Sequence, residues 1–510
     1  MMKNVLELLE HTAGRIPNKI AAIDEHGSMS FAELLRATRA AGSYLASGRE
    51  LFNKPVPVLT EKSINSLVAF FAVLYAGGYY VPMDTEQPFS SAEVRISILK
   101  PSIIICDRDR AEQAKRLLPN GDVIIIEEIL DTPMNSALLS DIRSKKIDTD
   151  PVYTNFTSGS TGTPKGVVIA HRSVIEFIDE FTQIFGIDET DTLANQAPLD
   201  FDVSVKDIYS CLKTGATILL IPRRLFSAPV QLLDFICEHE VTNMTWAVSA
   251  LCLISTFHGL DYKTPNKLKR VLYSGEIMPK KHLDAWMTAL PDTVFVNLYG
   301  PTEITCNCCY HIIDRNRQYD NGIPIGKAFP NERIYLLSKD GEIITEPDVT
   351  GEICVSGSSV GLGYFCDFAK SDEVFIQNPA NSAYHERIYK TGDLGYYNAD
   401  GEIFFKGRAD FQIKYMGHRL ELQGLERQIE EIGSVFSCCC VFDEQAPKLF
   451  AYYTGEEEEK ELRIKLRDKL PAWMIPSKIR RLPSFPLTKN GKIDRAALLL
   501  LGKRRKNDKG

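Results

Sequence analysis

Residues 157–166 read TSGSTGTPKG and gather Thr157, Ser158, Gly159, Ser160, Thr161, Gly162 and Lys165 into one short loop. Glycines and small hydroxyl residues let main-chain amides converge into a nest, the hydroxyls add donors, and Lys165 adds a compact positive charge. A polyphosphate is the anion such a loop suits. The motif G-x-x-x-x-G-K-[ST] is not met, because Pro164 precedes the lysine and Gly166 follows it, and GIPIGKA and NGKIDR also lack the closing Ser or Thr. A P-loop phosphotransferase is therefore disfavoured. A flexible linker has no reason to sit between the strand-like PVYTNF and GVVIAHRSVIEFI.

The elements that must position this loop follow from the rest of the chain. Its 510 residues suggest two to four folding units, and 44% apolar with 25% charged residues is ordinary for a folded protein. A net charge of -8 argues against a nucleic acid or an anionic membrane as the main partner. The twelve cysteines follow no metal-ligand spacing. The start, MMKNVLELLEHTAGRIPNK, has the wrong composition for a signal peptide, and no run is long enough to span a membrane, so a cytoplasmic protein with free thiols is expected. Short apolar runs (PVPVLT, YYVPMD, SIIICD, ATILLIP, KRVLYSG, VFVNLYG) alternate with helical stretches, one of them capped by Ser30, which predicts an α/β sheet covered by helices. After about residue 320, glycine-punctuated strands predict a β-rich part ending near Gly407, followed by a small α+β domain.

Four more stretches stand in order: FDVSVKDIY, NLYGPTEITCN, YKTGDLGYYNADGEIFFKGRADFQIKYMGHRLEL and LTKNGKIDR. Together with TSGSTGTPKG they resemble the signature motifs of the adenylate-forming superfamily, which includes acyl-CoA synthetases, luciferases and nonribosomal peptide synthetase adenylation domains. The resemblance covers nearly the whole chain. NQAPLDFDVSVKDIY, RADFQIKYMGHRLEL and LPAWMIP are most similar to amino-acid-activating adenylation domains and stand-alone D-alanyl carrier protein ligases. The fold implied is α/β: a large N-terminal domain, residues 1–408, of α/β sheets plus a β-rich subdomain that binds ATP and an amino acid, and a small mobile α+β lid, residues 409–510, that carries a catalytic lysine. The activity implied is ATP-dependent formation of an aminoacyl-AMP and transfer to the phosphopantetheine thiol of a carrier protein. No carrier motif or condensation-type His-His motif is visible, so the carrier is expected to be a separate protein; the resemblance by itself implies a monomer. The alternatives are a D-alanine-specific ligase of teichoic acid D-alanylation and an acyl-CoA synthetase.

The resemblance also implies residue roles. The loop from Thr157 to Lys165 would cradle the β- and γ-phosphates. Tyr299 would lie against adenine with Asn297 at its polar edge and Gly300 beside them; Thr302 would meet the α-phosphate, and Glu303 would bind Mg²⁺. Asp393 would accept both ribose hydroxyls, assisted by Arg408. Lys492 would bridge the attacking carboxylate and the leaving phosphate. Asp410 matches the hinge, and rotation about it would exchange Lys492 for the loop of Gly417 that lines the thiol tunnel. Asp202 would pair with the substrate's α-ammonium, in a pocket walled by Val203, Lys206, Trp246, Leu272, Ser274, Gly275, Leu298, Cys306 and Asn307. Lys206 either recognises an acidic or polar side chain or runs its stem outward from a helix. His171 is not expected to act as a base, since an attacking carboxylate is already ionised.

Overall fold

The computed structural model describes residues 2–158, 163–409, 412–443, 446–487 and 493–503. The helix Phe31–Ala46 starts where the sequence predicts: Ser30 accepts from the Glu33 amide while the Glu33 carboxylate accepts from the Ser30 amide, a reciprocal capping box. Its neighbour, Ile64–Tyr75, is buried at every position except Asn65, so its sequence is apolar on all sides. The two helices approach closely at Gly42, where a Cβ would lie 2.6 Å from the Tyr75 Cβ.

The chain divides into two units, residues 1–85, 98–156 and 166–409 forming the first, and residues 86–97, 157–165 and 410–510 the second. The larger unit is built on the mixed α/β architecture expected from the sequence. A nine-stranded sheet has Thr192–Asn195, Asn243–Ala247, Arg270–Ser274 and Val294–Tyr299 as a parallel run, and Ala247, Ser274 and Leu298 stand side by side at their C-terminal ends. In such a sheet ligands bind beyond the C-terminal strand ends. A seven-stranded sheet carries Tyr79–Pro82, Pro55–Leu59 and Ile103–Cys106 as neighbouring parallel strands. The glycine-punctuated region forms a six-stranded antiparallel sheet in which Arg387–Tyr397 pairs with Gly351–Gly357, Phe375–Gln377 and Ile403–Arg408. Trp246 and Trp286 lie fully buried in one core on the outer face of the nine-stranded sheet.

In the smaller unit the hairpin Gln412–Tyr415/His418–Glu421 turns through Met416 and Gly417, at φ 54° and 81°. The three strands Val435–Asp443, Lys448–Gly455 and Lys478–Arg481 pack against the helices Leu422–Glu430 and Glu459–Lys469 around Leu425, Ile429, Leu462 and Leu466, and a separate cluster sets Leu498 of the helix Arg495–Lys503 against Cys439, Val441, Phe450 and Tyr452. Trp473 stacks on the His418 ring with centroids 3.9 Å apart. Among the described residues, no helix is long and apolar enough to cross a membrane.

Candidate active site

Asp393 and Arg408 are partners across two antiparallel strands. Arg408 Nη1 pairs with one Asp393 carboxylate oxygen, and the Tyr299 hydroxyl donates to the other at 2.5 Å. Arg408 is itself held by the Thr391 carbonyl at 3.2 Å. Burial and the Asp393 charge push the Tyr299 phenol well above its ordinary pKa, so it remains a donor. The outcome is a buried carboxylate aimed by two fixed donors, with acceptor capacity for vicinal hydroxyls.

Strand Val294–Tyr299 ends in Gly300, where a Cβ would lie 2.4 Å from the Asn307 Cα and 2.8 Å from the Cys306 carbonyl. Only glycine fits. The chain returns to that spot through Thr305 and Cys306, both left-handed at φ 36° and 76°, an uncommon conformation for such residues. The Cys308 amide then bonds the Tyr299 carbonyl at 2.8 Å. Between these points Thr302 and Glu303 sit on one 3₁₀ turn, and the fully buried Glu303 carboxylate accepts from the Tyr364 hydroxyl at 2.8 Å. Among the described residues no group of three His, Cys, Asp or Glu is placed to hold a metal. One carboxylate alone fits a magnesium ion that takes its other ligands from phosphates and water. Asn297 donates to the Pro324 carbonyl at 2.9 Å.

Leu298, adjacent to Tyr299, leads into a second cluster. Asp202 precedes the helix Val203–Thr214 and its side chain makes no capping bond to it. One turn along, Lys206 is fully buried, and its ammonium donates to Asn307 Oδ1 at 2.6 Å. The Cys306 thiol meets the Asp202 carbonyl at 3.1 Å. Burial and the Asp202 and Asp207 charges push that thiol up while Lys206 pulls it down, so all three charges act on one sulfur. Leu272, Ser274 and Leu298 face this helix from the sheet, and Gly275, at φ 98°, has open space where a Cβ would stand. Lys206 therefore does not run outward to solvent, one of the two readings of the sequence.

Trp246 corrects the expected pocket wall. Side chains alternate along a strand, and Trp246 falls in the opposite core with Met244, its indole donating to the Ala194 carbonyl at 2.8 Å. Thr245 takes the pocket face, beside Asp207. Asp207 also accepts from Asn195 Nδ2 at 3.0 Å, and burial pushes its carboxyl up to about 7. Lys62 was not legible in the sequence: its ammonium donates to the carbonyls of Asn195, Gln196 and Ala197 at 2.9, 3.1 and 3.3 Å, far along the chain, and burial pulls it down to about 7.

The remaining expected residues lie in the smaller unit or are not described. Ser158 Oγ donates to the Arg419 carbonyl at 2.7 Å, and Lys165 pairs with Glu421 at 3.3 Å. Thr157 closes the strand Pro151–Thr157. Gly417 occupies the hairpin turn described above. Gly159, Ser160, Thr161, Gly162, Asp410 and Lys492 lie outside the described residues. His171 is buried at a helix start, where the Val5 amide donates to Nδ1 at 3.3 Å and burial holds the ring well below its ordinary pKa.

The family described as AMP-binding enzyme matches residues 9–365, more than half of the chain. The chain belongs to the AMP-binding enzyme family. The AMP-binding enzyme C-terminal domain matches residues 425–492, inside the smaller unit. Within the family, D-alanine--D-alanyl carrier protein ligase of Listeria monocytogenes serotype 4a is 31% identical over 98% of this chain and 99% of that protein. One polypeptide of the mycosubtilin synthase of Bacillus subtilis is 31% identical over 97% of this chain, which spans only 19% of that protein. Zwittermicin A synthase ZmaJ of Bacillus cereus is 30% identical over 98% of this chain and 95% of its own length. The solved structure of holo-PA1221, an NRPS protein containing adenylation and PCP domains, matches with a TM-score of 0.84 at 26% identity, over 98% of this chain and 84% of that one.

Proposed function

We propose that the chain activates an amino acid with ATP as aminoacyl-AMP and passes it to the phosphopantetheine thiol of a separate carrier protein. The observation that carries this reading is the junction at Leu298–Tyr299, where Tyr299 holds the Asp393 carboxylate and Leu298 packs in the same core as Cys306, whose thiol meets the Asp202 carbonyl. A carboxylate at this place is a chemically apt partner for a substrate's α-ammonium. Asp393 would accept the ribose hydroxyls while Tyr299 and Arg408 keep it aimed. Lys165 would meet the phosphates, which requires it to exchange Glu421 for the ligand. Glu303 and phosphate oxygens would hold Mg²⁺, which supplies charge neutralisation when bound. The substrate carboxylate attacks the α-phosphorus, the bond to pyrophosphate breaks, and Lys492 stabilises charge on both sides of that transfer. The acyl group then moves to sulfur and AMP leaves. Monomeric action in the cytoplasm completes the reading.

The carrier protein reading is supported by the D-alanyl carrier protein ligase likeness, and D-alanine itself is disfavoured by buried Lys206, Ser274 and Asn307, which a methyl side chain does not need. An acyl-CoA synthetase has no use for Asp202. The test is ATP/pyrophosphate exchange against the common amino acids, D-alanine, and fatty and aryl acids. Exchange with at least one amino acid and none with simple carboxylic acids is expected. The reverse pattern removes Asp202 from its role and moves the chain to the acyl-CoA synthetases.

A further inference from the structure

We infer that Tyr364 is a positioning residue for the metal, its hydroxyl holding the Glu303 carboxylate in the orientation that receives Mg²⁺. The inference rests on the reading of Glu303 as the Mg²⁺ ligand and deepens it by naming the residue that aims it. Its ground is the way one segment, residues 359–364, braces the turn that carries Glu303. The Gly361 amide donates to the Glu303 carbonyl at 2.8 Å, which fixes the main chain. The Tyr364 hydroxyl donates to Glu303 Oε1 at 2.8 Å, which fixes the side chain. Just past the turn, the Thr305 hydroxyl donates to the Ser359 carbonyl at 2.7 Å. Backbone and carboxylate are therefore set by the same short stretch.

Tyr364 is itself held from several directions. Gly363–Tyr364 pairs antiparallel with Val167 and Val168. The Tyr364 amide donates to Ser371 Oγ at 2.9 Å, and its ring meets that of Phe375 in a T-shaped contact with centroids 5.8 Å apart. At Gly361 a Cβ would lie 2.9 Å from Ile169 Cδ1 and 3.1 Å from the Glu303 carbonyl oxygen, so the segment approaches the turn as closely as the backbone allows. The hydroxyl thus reaches Glu303 from a ring that packing has already fixed. Phenylalanine would fill the same space, and what tyrosine adds is a donor for a fully buried carboxylate. A carboxylate has about four acceptor positions, so one bond to a phenol leaves it able to take a cation as well. Carboxylates that ligate metals are commonly hydrogen-bonded in this way, and losing such an outer partner typically costs about 10–100-fold in metal affinity.

The experiment measures ATP binding to the full chain by equilibrium dialysis in MnCl₂ and in EDTA, with Mn²⁺ as the metal probe. The ratio of the two affinities is the contribution of the metal. In Tyr364→Phe that ratio should fall by about 10–100-fold while the affinity for ATP in EDTA keeps its wild-type value. A hydroxyl that serves only the fold would move both affinities together or neither, and either pattern overturns the inference. Tyr364→Met removes the same hydroxyl from a more adaptable side chain and decides the matter should Tyr364→Phe not fold. Glu303→Gln separates the inference from the reading beneath it. If Glu303→Gln lowers the ratio and Tyr364→Phe does not, Glu303 keeps the metal and Tyr364 loses its role. If Glu303→Gln leaves the ratio unchanged, both fall.

Discussion

Asp393 is legible in the sequence as a carboxylate inside YKTGDLG, but its neighbours are not. Tyr299 lies far upstream, and the ladder that pairs Asp393 with Arg408 exists only once two strands align. Replacing one charged acceptor with an amide keeps the shape and removes a charge-assisted bond worth about 1.5–3 kcal/mol, so Asp393→Asn should raise KM for ATP roughly ten- to hundredfold. An ATP titration of the exchange reaction checks this, and an unchanged KM would remove Asp393 from the nucleotide site. His171 gives a different kind of prediction. Its folded pKa is depressed, so the unfolded chain takes up the proton first: stability is intact above the unfolded value near 6.5 and falls as pH drops below it, by at most about 1.4 kcal/mol per pH unit. Urea midpoints between pH 7 and 5 should drop less in His171→Asn than in the wild type. Equal slopes would mean the ring is not buried neutral.

At the scale of elements, local rules worked wherever the deciding partners were close in sequence. The capping box at Ser30 is such a case, and Ser30→Ala should cost about 1 kcal/mol, readable as a shift in the urea midpoint, with the exchange activity retained. Strand parity failed at Trp246. A large indole beside a presumed pocket suggested a wall, yet a one-residue difference in register moves a side chain to the other face of the sheet, and Thr245 holds the expected position. Gly300 shows the opposite limit. Its motif marks it as special, but the reason lies in a loop that returns onto it through two left-handed residues. Gly300→Ala must displace the Cys306–Asn307 backbone, so it should lower stability by about 1–3 kcal/mol and raise KM for the amino acid more than KM for ATP. An unaltered KM for the amino acid would separate this turn from the acid pocket.

For the whole molecule, the sequence texture of an α/β part, a β-rich part and a small α+β part matches the sheets and helices observed. What texture could not reveal is that residues 86–97 and 157–165 group with the C-terminal unit, since membership depends on contacts remote in sequence. If adenylation and thiol capture use different arrangements of the chain, Lys492→Ala should reduce pyrophosphate exchange by several orders of magnitude, on the order of 10³-fold, and spare transfer from supplied aminoacyl-AMP. Equal loss in both half-reactions would sink that two-arrangement mechanism.

The distribution of indoles gives each unit an optical signature of its own. Trp246 and Trp286 share a buried core in the larger unit, whereas Trp473 is stacked on an imidazole in the smaller one. Emission from Trp473 should report on the hairpin whose His418 ring it stacks on, while the other two report on the core they share. A Trp473→Phe variant therefore watches the large unit alone, a Trp246→Phe/Trp286→Phe variant watches the small one, and fluorescence can follow the two halves of this molecule separately as they melt or bind.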